Sequence, residues 1–202
     1  MDEYWDEMNE NREMTGRQLK RGEEIPEGSY HTVVHLCLFN GEGKLLCQRR
    51  QPWKTFADMW DVTVGGSALA GETSQQAMTR ELAEELGARF DFRDQHPLFT
   101  LRGINFFDDF YFLFANVSPE QLHLQPSEVK DAQFFSYEEI RDMIANGSFI
   151  PWKTITYIFA LRNAIMNIPD YEVDYQIFLT DNGIDNDLFY KFHPDEFEDP
   201  AV

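Results

Sequence analysis

The chain has 202 residues and a formal net charge of −19, and 43% of its residues are hydrophobic. This length suits one domain with short additions, and the hydrophobic share is enough for a sizeable core. The negative charge argues against non-specific binding to nucleic acid or to an anionic membrane, because both attract Lys and Arg.

The first residues show no basic region and no apolar run, and no stretch reaches transmembrane length. We therefore expect no secretory signal and a cytoplasmic protein.

Residues 1–28 are predicted to form an N-terminal hairpin or arm. Two short segments, 4–8 and 14–19, flank a polar turn at 9–11. Pro26 and Gly28 then interrupt the chain before the next element. Because the hairpin has little apolar content, we expect it to lie at an edge rather than in the core.

A strong strand pattern follows at 31–39, and residues 44–49 return as a second strand after a Gly-Glu-Gly turn. The first strand contains Cys37 and the second contains Cys47. Two cysteines are too few for a disulfide framework and do not fit a zinc motif. We interpret them as buried free thiols, with a catalytic cysteine as the alternative.

The first of these strands also carries two histidines, His31 and His35. They are four residues apart and therefore share one face of a strand. A histidine pair can bind a metal ion, but without a third ligand nearby such a pair is more often structural. We favour ordinary packing or substrate contact for both residues.

A basic and aromatic cluster at 49–54, Arg-Arg-Gln-Pro-Trp-Lys, stands out in this acidic chain. Arg50 could grip phosphate oxygens with its forked guanidinium, and Lys54 could act as a point charge. A solubilising loop would explain the same residue types equally well. A further strand, predicted at 60–64, then leads into Gly65 and Gly66.

The stretch 66–88 combines a glycine turn with a helix. Thr73 and Gln76 form a capping-box pattern at the start of the helix. Gly87 suits the left-handed residue that commonly ends a helix. The sequence therefore predicts a helix that begins after Thr73 and ends before Gly87.

Three glutamates, Glu81, Glu84 and Glu85, gather on one face of this helix. Like charges at this spacing repel one another, so a positive group should lie among them. Arg80 can reach Glu84 one turn later, but a single guanidinium leaves two carboxylates unpaired. Mg²⁺ or Mn²⁺ would suit these oxygen ligands. A solvated acidic face is the alternative, and on the charges alone it is the more common outcome.

The spacing of the whole stretch resembles the signature box of the Nudix hydrolases. The matching positions are Gly66, Glu72, Arg80, Glu81, Glu84, Glu85 and Gly87, with an aliphatic residue after Glu81. Ala88 is a minor deviation from the pattern, because the family usually has a bulkier aliphatic residue at this position. The resemblance implies the Nudix fold, an α/β/α sandwich around a mixed, curved sheet.

The resemblance also implies roles for individual residues. It suggests Glu81, Glu84 and Glu85 as ligands of Mg²⁺ or Mn²⁺, and the Gly65 carbonyl as a further ligand. Arg80 and Glu72 would orient these ligands, and Gly66 and Gly87 would support the loop and the helix end. Many Nudix enzymes carry the general base on a later loop, which here points to Glu128. One of the glutamates of the box is the alternative base.

After this helix, strands are predicted at 97–103, 107–117 and 132–135. Two more helices should follow, one opened by Ser136 and one that begins at Pro151 and runs to about Met166. Asp108 and Asp109 could lean toward the metal site, but acids in a turn are the more common explanation. Residues 29–168 would then be the Nudix domain. Residues 169–202 would be an acidic, aromatic-rich extension that docks on the domain or on the second subunit of a homodimer.

In layout, residues 4–166 are also similar to the isopentenyl-diphosphate isomerase branch of the Nudix superfamily, in which Arg50 and Lys54 would grip a diphosphate. That branch uses a cysteine and a histidine at positions where this chain has Gly65 and Ser67. We therefore expect hydrolysis: Mg²⁺-dependent cleavage of the diphosphate linkage in a nucleoside or other small organic diphosphate. Isomerisation and a non-catalytic Nudix-fold binding module remain the two alternatives.

Overall fold

The computed structural model describes residues 2–167 and the backbone of two further strands, Val173–Asp181 and Ile184–Phe192. In chain order the strands are β1 Tyr4–Met8, β2 Met14–Lys20, β3 His31–Phe39, β4 Leu45–Arg50, β5 Trp60–Asp61, β6 Val64–Ser67, β7 Ala88–Arg89, β8 Phe99–Arg102, β9 Phe106–Phe114, β10 Val129–Phe135, β11 Val173–Asp181 and β12 Ile184–Phe192. The helices are α1 Ser74–Leu86, α2 Tyr137–Asn146 and α3 Ile155–Met166.

The central sheet is mixed, as the sequence predicts. Its strand order is β10-β4-β3-β9-β8, with β5 paired to β4 and β6 paired to β3. β3 and β9 run parallel over their whole length, whereas the other pairs are antiparallel. These two central strands are rich in apolar and aromatic residues, which is typical of strands covered on both faces.

Helices cover both faces of this sheet. On β3, the ring of Phe39 lies 5.3 Å from that of Phe159 in α3. Val34 on the same strand is the register partner of Gly66, which lies directly against Glu81 of α1. Because alternate side chains of a strand point to opposite faces, α1 and α3 lie on opposite sides. The α/β/α arrangement expected from the sequence is therefore present.

The single strand predicted at 60–64 is wrong in one respect, because the chain forms two short strands there, β5 and β6. The hydroxyl of Thr63 donates to the carbonyl of Leu46 at 2.6 Å and accepts from the amide of Leu38 at 2.9 Å. β5 pairs with β4, and β6 pairs with β3. Between the two pairings, the Thr63 side chain provides hydrogen bonds in place of the backbone–backbone hydrogen bonds of the sheet. The break brings Gly65 and Gly66 beside β3.

The start predicted for the last helix is also wrong. α3 begins at Ile155 rather than at Pro151. The segment before it is held in a turn, in which the amide of Trp152 donates to the carbonyl of Ile150 at 2.7 Å. The indole Nε1 of Trp152 also donates to the Asp61 carboxylate at 2.7 Å, which fixes this segment against β5.

The predicted N-terminal hairpin is present and forms a separate two-stranded sheet, β1 with β2. It contacts the main domain at the loop that precedes α1, where the Ala70 amide donates to the Tyr4 carbonyl at 2.7 Å. The Gly71 amide donates to the Asp6 carboxylate, also at 2.7 Å. The hairpin therefore helps to position the loop that leads into α1.

A buried carboxylate, Glu7, connects the hairpin to the rest of the molecule. Its oxygens accept from Arg17 at 2.5 and 2.7 Å and from the hydroxyls of Thr15 and Ser29. Hydrogen bonds from Arg17 and Ser29 lower the pKa of Glu7 to about 2, against 4.5 ordinarily. The carboxylate thus stabilises the folded state only while it is charged.

Glu7→Gln is expected to lower the free energy of unfolding at pH 7 by about 2 kcal/mol, because hydrogen bonds to a charged group are lost. The contribution of Glu7 should be complete above pH 4.5 and should disappear as the pH falls toward 2. Urea unfolding of both proteins across this range measures the difference. Glu3→Gln, which changes an exposed partner of Arg21 on the same hairpin, is the matched control. An equal difference at pH 7 and at pH 2.5 would contradict this role.

At the other end of the chain, β11 pairs with β12 and with the short strand β7 that follows α1. The side chains of these two strands and the other residues of the predicted extension lie outside the described residues. The division of the chain at 28 and 168 therefore stays a prediction. No helix within residues 2–167 is long and apolar enough to cross a membrane.

Candidate functional site

The helix that carries the three glutamates forms as predicted. The hydroxyl of Thr73 accepts from the amide of Gln76 at 3.2 Å, and the Gln76 side chain accepts from the Thr73 amide at 2.8 Å. Gly87 ends the helix in the left-handed conformation, with φ 64°. Met78, Leu82 and Leu86 form the buried stripe that packs α1 on the sheet. The caps and the apolar stripe together fix which face of α1 carries the carboxylates.

Arg80 lies at the centre of an ionic cluster. Its guanidinium donates to Glu72 at 2.8 and 3.0 Å and to the Ser67 carbonyl at 3.0 Å. It also lies 2.9 Å from Glu81 and 3.1 Å from Glu84. The predicted contact between Arg80 and Glu84 is therefore present. Arg80 also connects α1 to the loop at Glu72. The orienting role that the resemblance implies for these two residues stays a prediction.

Glu85 has different neighbours and is the most deeply buried of the three glutamates, with 6% of its surface exposed. Its carboxylate accepts from the Gln48 side chain at 2.9 Å and from the Gly65 amide. Burial, together with the nearby negative charge of Glu81, raises the pKa of Glu85 to about 8. Burial also raises the pKa of Glu81, although Arg80 opposes the shift. Glu85 is thus a buried acid whose charged form lacks a cationic partner among the contacts of residues 2–167.

Gly65 and Gly66 allow close approach of functional side chains from opposite faces of the sheet. A Cβ atom on Gly66 would lie 2.0 Å from Glu81 Oε1, so the carboxylate occupies the space that any other residue would fill. A Cβ atom on Gly65 would lie 2.6 Å from the Nε2 atom of His35. Neither glycine is required here by its backbone conformation, because neither has a positive φ. The space beside each glycine is filled by one of these side chains instead.

The donor set of this cluster fits a divalent cation. Glu81, Glu84 and Glu85 supply carboxylate oxygens, which are the ligands that Mg²⁺ and Mn²⁺ prefer. Glu85 and Glu81 would lose their mutual repulsion if a cation lay between them. Within the described part of the chain, however, no three His, Cys, Asp or Glu side chains are already arranged around a metal position. Arg80 instead holds Glu81 and Glu84, so a cation would have to take over part of these contacts.

Lys54 and Glu128 lie on neighbouring loops, and Arg50 is the last residue of β4, just before the first of these loops. Lys54 forms an ion pair with Glu128, and Gln51 of the same loop donates to the carbonyls of Pro126 and Val129 at 3.0 and 3.1 Å. The structure thus joins the predicted phosphate-binding loop to the loop of the predicted base. Arg50 donates to the Thr55 carbonyl at 2.8 Å and lies 3.3 Å from Asp61.

Both histidines have structural partners, as we expected. His31 stacks on Trp5 of the N-terminal hairpin with ring centroids 4.0 Å apart. The Nδ1 atom of His35 lies 2.6 Å from an Asp108 oxygen. Although burial opposes it, this contact with Asp108 raises the pKa of His35. His35 lies beside Gly65 and is therefore close to the site, whereas His31 is part of the hairpin interface.

The interpretation of Asp108 and Asp109 as turn residues is wrong, because both are buried inside β9. Asp109 is fully buried and accepts from Thr100 and Ser74 at 2.6 Å each, and from Arg12 of the hairpin. Because Ser74 is the first residue of α1, this carboxylate helps to position the helix on the sheet. The sequence provides little sign of these partners, which come from β8, from α1 and from the turn of the hairpin.

Gln48 is a site residue that the sequence analysis missed. It is 3% exposed on β4, and its side chain donates directly to Glu85. The sequence signal that could have identified Gln48 is an amide side chain directly after the apolar residues Leu-Leu-Cys. A polar side chain that is buried in such a strand usually has a specific hydrogen-bond partner. Gln48 donates to the Oε2 atom of Glu85 and so orients this carboxylate.

Gln48→Leu is expected to lower kcat by about 10- to 100-fold with a smaller effect on KM, as losses of groups that orient metal ligands usually do. Steady-state kinetics at saturating metal, together with a titration of the activating metal, separate the two effects. Gln133→Leu on the neighbouring strand β10 is the matched control, because Gln133 is exposed and its side chain donates to Asp131 rather than to Glu85. Wild-type kcat in Gln48→Leu would show that Glu85 needs no such support.

The chain is similar to known proteins in sequence and in fold. Residues 29–154 match the family model of the NUDIX domain. An uncharacterized Nudix hydrolase of Listeria monocytogenes is 44% identical over 163 residues, which cover 80% of this chain and 96% of that protein. The fold is similar to a crystal structure from Deinococcus radiodurans, with a TM-score of 0.61 at 24% identity, covering 79% and 98% of the two chains. An isopentenyl-diphosphate Delta-isomerase of Pectobacterium atrosepticum is 27% identical over 173 residues, covering 81% and 90%.

Proposed function

Because this chain belongs to the Nudix hydrolases, enzymes that act on pyrophosphate bonds, we propose that it cleaves the diphosphate linkage of a nucleoside or other small organic diphosphate with Mg²⁺. Nudix hydrolases generally use divalent metals and act on small molecules. The choice of Mg²⁺, with Mn²⁺ as a substitute, and the substrate class are the parts that we propose here.

The observation that carries this proposal is the buried Glu85 beside Glu81, on a helix held against Gly65 and Gly66. A buried carboxylate with a raised pKa and a like charge beside it is costly unless a cation neutralises it. Such costs are typical of functional sites rather than of structural ones. We propose Glu81, Glu84, Glu85 and the Gly65 carbonyl as the groups that would hold the cation.

A bound Mg²⁺ would neutralise phosphate oxygens and lower the pKa of a water molecule. The chain itself would orient the reacting groups. Arg80 and Glu72 would keep Glu81 and Glu84 in place, as their ion pairs do in the free protein. Gln48 would orient Glu85.

We propose Arg50 and Lys54 as the phosphate-binding cations and Glu128 as the general base. The ion pair between Lys54 and Glu128 supports this arrangement, because it places a cation and a carboxylate side by side on two joined loops. A substrate phosphate that takes the Lys54 ammonium would free the Glu128 carboxylate to accept a proton. Binding of substrate and exposure of the base would then be coupled.

Isomerisation of isopentenyl diphosphate is the second candidate, since the similarity to an isomerase covers most of both chains. Cys37 and Cys47 argue against it, because both are buried and burial raises the pKa of each thiol well above its usual value. Gly65 and Ser67 occupy the positions of the catalytic pair of that branch. Conversion of isopentenyl diphosphate that is lost on replacement of either cysteine would favour the isomerase.

A screen of diphosphates tests the proposed reaction. The purified chain should release phosphate or a monophosphate from at least one nucleoside diphosphate, nucleotide sugar or dinucleotide polyphosphate when Mg²⁺ or Mn²⁺ is present. Chelation with EDTA should abolish the release. No turnover of any substrate with either metal would count against hydrolysis. Tight binding of a diphosphate without metal or turnover, measured by calorimetry, would instead favour a non-catalytic binding module.

A further inference from the structure

Two residues of β1 hold the loop that leads into α1. The Tyr4 carbonyl accepts a hydrogen bond from the amide of Ala70 at 2.7 Å. The Asp6 carboxylate accepts one from the amide of Gly71, also at 2.7 Å and across 65 positions of the chain. The hairpin thus fixes the backbone directly before Glu72.

Glu72 connects this loop to the glutamates of α1. Its carboxylate accepts from the Arg80 guanidinium at 2.8 and 3.0 Å. The same guanidinium lies 2.9 Å from Glu81 and 3.1 Å from Glu84. Because Glu72 directly follows Gly71, a displacement of Gly71 also displaces the carboxylate that holds Arg80. The contacts of β1 are therefore joined to the glutamates by a continuous set of hydrogen bonds and ion pairs.

The start of α1 is held a second time, by the carboxylate of Asp109. This residue is fully buried on β9 and accepts at 2.6 Å from the hydroxyl of Ser74, the first residue of α1. The first turn of α1 has no acidic residue of its own, so Asp109 supplies the negative charge that favours a helix N-terminus. A buried carboxylate needs a cationic partner, and Arg12 in the turn of the hairpin forms this ion pair. Both anchors of the helix start thus depend on the hairpin.

Arg12 reaches Asp109 from a strained turn. It has φ 63°, in the left-handed region that is unfavourable for a residue with a side chain. Asn9 fixes this conformation, because its carbonyl accepts from the Arg12 amide at 3.0 Å. The Asn9 side chain also accepts from the amides of Asn11 and Glu13 at 2.9 and 3.1 Å. Such strain persists only where the surrounding structure holds it, and it is typical of functional positions.

We propose that Asp6 and Arg12 are positioning residues of the divalent-cation site, because they set the place of Glu81, Glu84 and Glu85 on the sheet. A helix moves as a rigid unit, so the position of its first turn decides where glutamates about two to three turns later lie. Loss of groups that orient metal ligands lowers metal affinity. This inference rests on the proposed function, since it concerns the same cation, and it adds two residues of the N-terminal hairpin to the site.

The test is a titration of the free protein with Mn²⁺, followed by electron paramagnetic resonance. Asp6→Ala is expected to weaken Mn²⁺ binding by about 10-fold, as losses of groups that orient metal ligands do. Asp6→Asn keeps a side-chain oxygen that can accept from the Gly71 amide, so it should restore most of the affinity. If the contact of Asp6 serves only to hold the fold together, Asp6→Ala will lower thermal stability and leave Mn²⁺ affinity unchanged, which would contradict the inference.

Hydrogen exchange of the metal-free protein provides a second readout, which needs no cation. The backbone amides of residues 70–74 should exchange faster in Asp6→Ala than in the wild type, because the Gly71 amide loses its acceptor and the loop opens more often. Equal exchange of this segment in the two proteins would show that Asp6 does not hold the loop.

A second variant and a matched control complete the test. Arg12→Asn removes the cation but tolerates the left-handed conformation, and it should also weaken Mn²⁺ binding. Thr15→Ala, on the same hairpin, removes a hydroxyl that donates to Glu7 at 2.8 Å and should keep wild-type Mn²⁺ affinity.

Two outcomes would overturn the inference while the cation site itself stands. One is wild-type Mn²⁺ affinity in both Asp6→Ala and Arg12→Asn. The other is an equal loss of affinity in Thr15→Ala. A wild type that binds no Mn²⁺ would instead overturn the cation site and this inference together, so the two failures are distinguishable.

Discussion

Glu85→Gln is expected to lower kcat/KM by at least about a thousandfold, which corresponds to the several kcal/mol that metal-assisted charge stabilisation contributes. Glutamine has the same shape and can still accept from Gln48, but it cannot neutralise a cation. The measurement is the rate of phosphate or monophosphate release from the best substrate of the screen. Glu138→Gln, an exposed glutamate in the first turn of α2, is the control that should keep full activity. A Glu85→Gln variant with more than a tenth of wild-type activity would contradict the proposed role.

The stability of the same variant shows whether a loss of activity is caused by unfolding rather than by the loss of the carboxylate. The pKa of Glu85 is about 8 in the folded chain and 4.5 ordinarily. Between pH 4.5 and pH 8, Glu85 is therefore protonated in the folded state and deprotonated in the unfolded state. The free energy of unfolding of the metal-free wild type should therefore fall as the pH rises from 4.5 to 8. Glu85→Gln removes this dependence. At pH 8 the metal-free variant should be at least as stable as the wild type, as measured by urea unfolding.

Gly66→Ala is expected to lower kcat/KM by about a hundredfold, the usual cost of displacing a catalytic group by about 1 Å. The new Cβ atom would lie 2.0 Å from Oε1 and 2.2 Å from Cδ of Glu81, so the carboxylate has to move. Because the end of a flexible side chain yields, the stability of the fold should change much less than the activity. Steady-state kinetics and thermal unfolding of the same preparation measure the two effects.

Gly103→Ala is the matched control for this substitution. Its new Cβ atom would lie 2.4 Å from the ring of Phe106, so it creates a comparable clash in the turn between β8 and β9. That turn contains none of the proposed site residues. The control should lose stability while its folded fraction keeps wild-type activity. If both alanine variants lose activity in proportion to their loss of stability, the space at Gly66 has no special role.

The sequence predicts the site helix well because its signals are local. The capping box at Thr73, the end at Gly87 and the apolar stripe depend on residues within a few turns of one another. The mixed sheet and the membership of the Nudix family were likewise predicted and are confirmed. The contact between Arg80 and Glu84 follows from helix geometry alone.

The missed features depend on contacts between distant parts of the chain. Gln48 contacts Glu85 across 37 positions, and Asp109 accepts hydrogen bonds from three distant parts of the chain. Phe56 and Trp152 line one cleft although they are far apart in the chain, which no periodicity or local spacing reveals. The break between β5 and β6 is caused by one side chain, that of Thr63, which bonds two other strands. Local patterns carry no information about such partners.

A titration of the free protein with Mn²⁺, followed by electron paramagnetic resonance, tests whether the glutamates of α1 bind a divalent cation. The wild type should bind Mn²⁺, Mg²⁺ should compete with it, and the double variant Glu81→Gln/Glu85→Gln should lose this binding together with its turnover. Equal Mn²⁺ binding by the wild type and the double variant, with unchanged turnover, would contradict the whole account of this site.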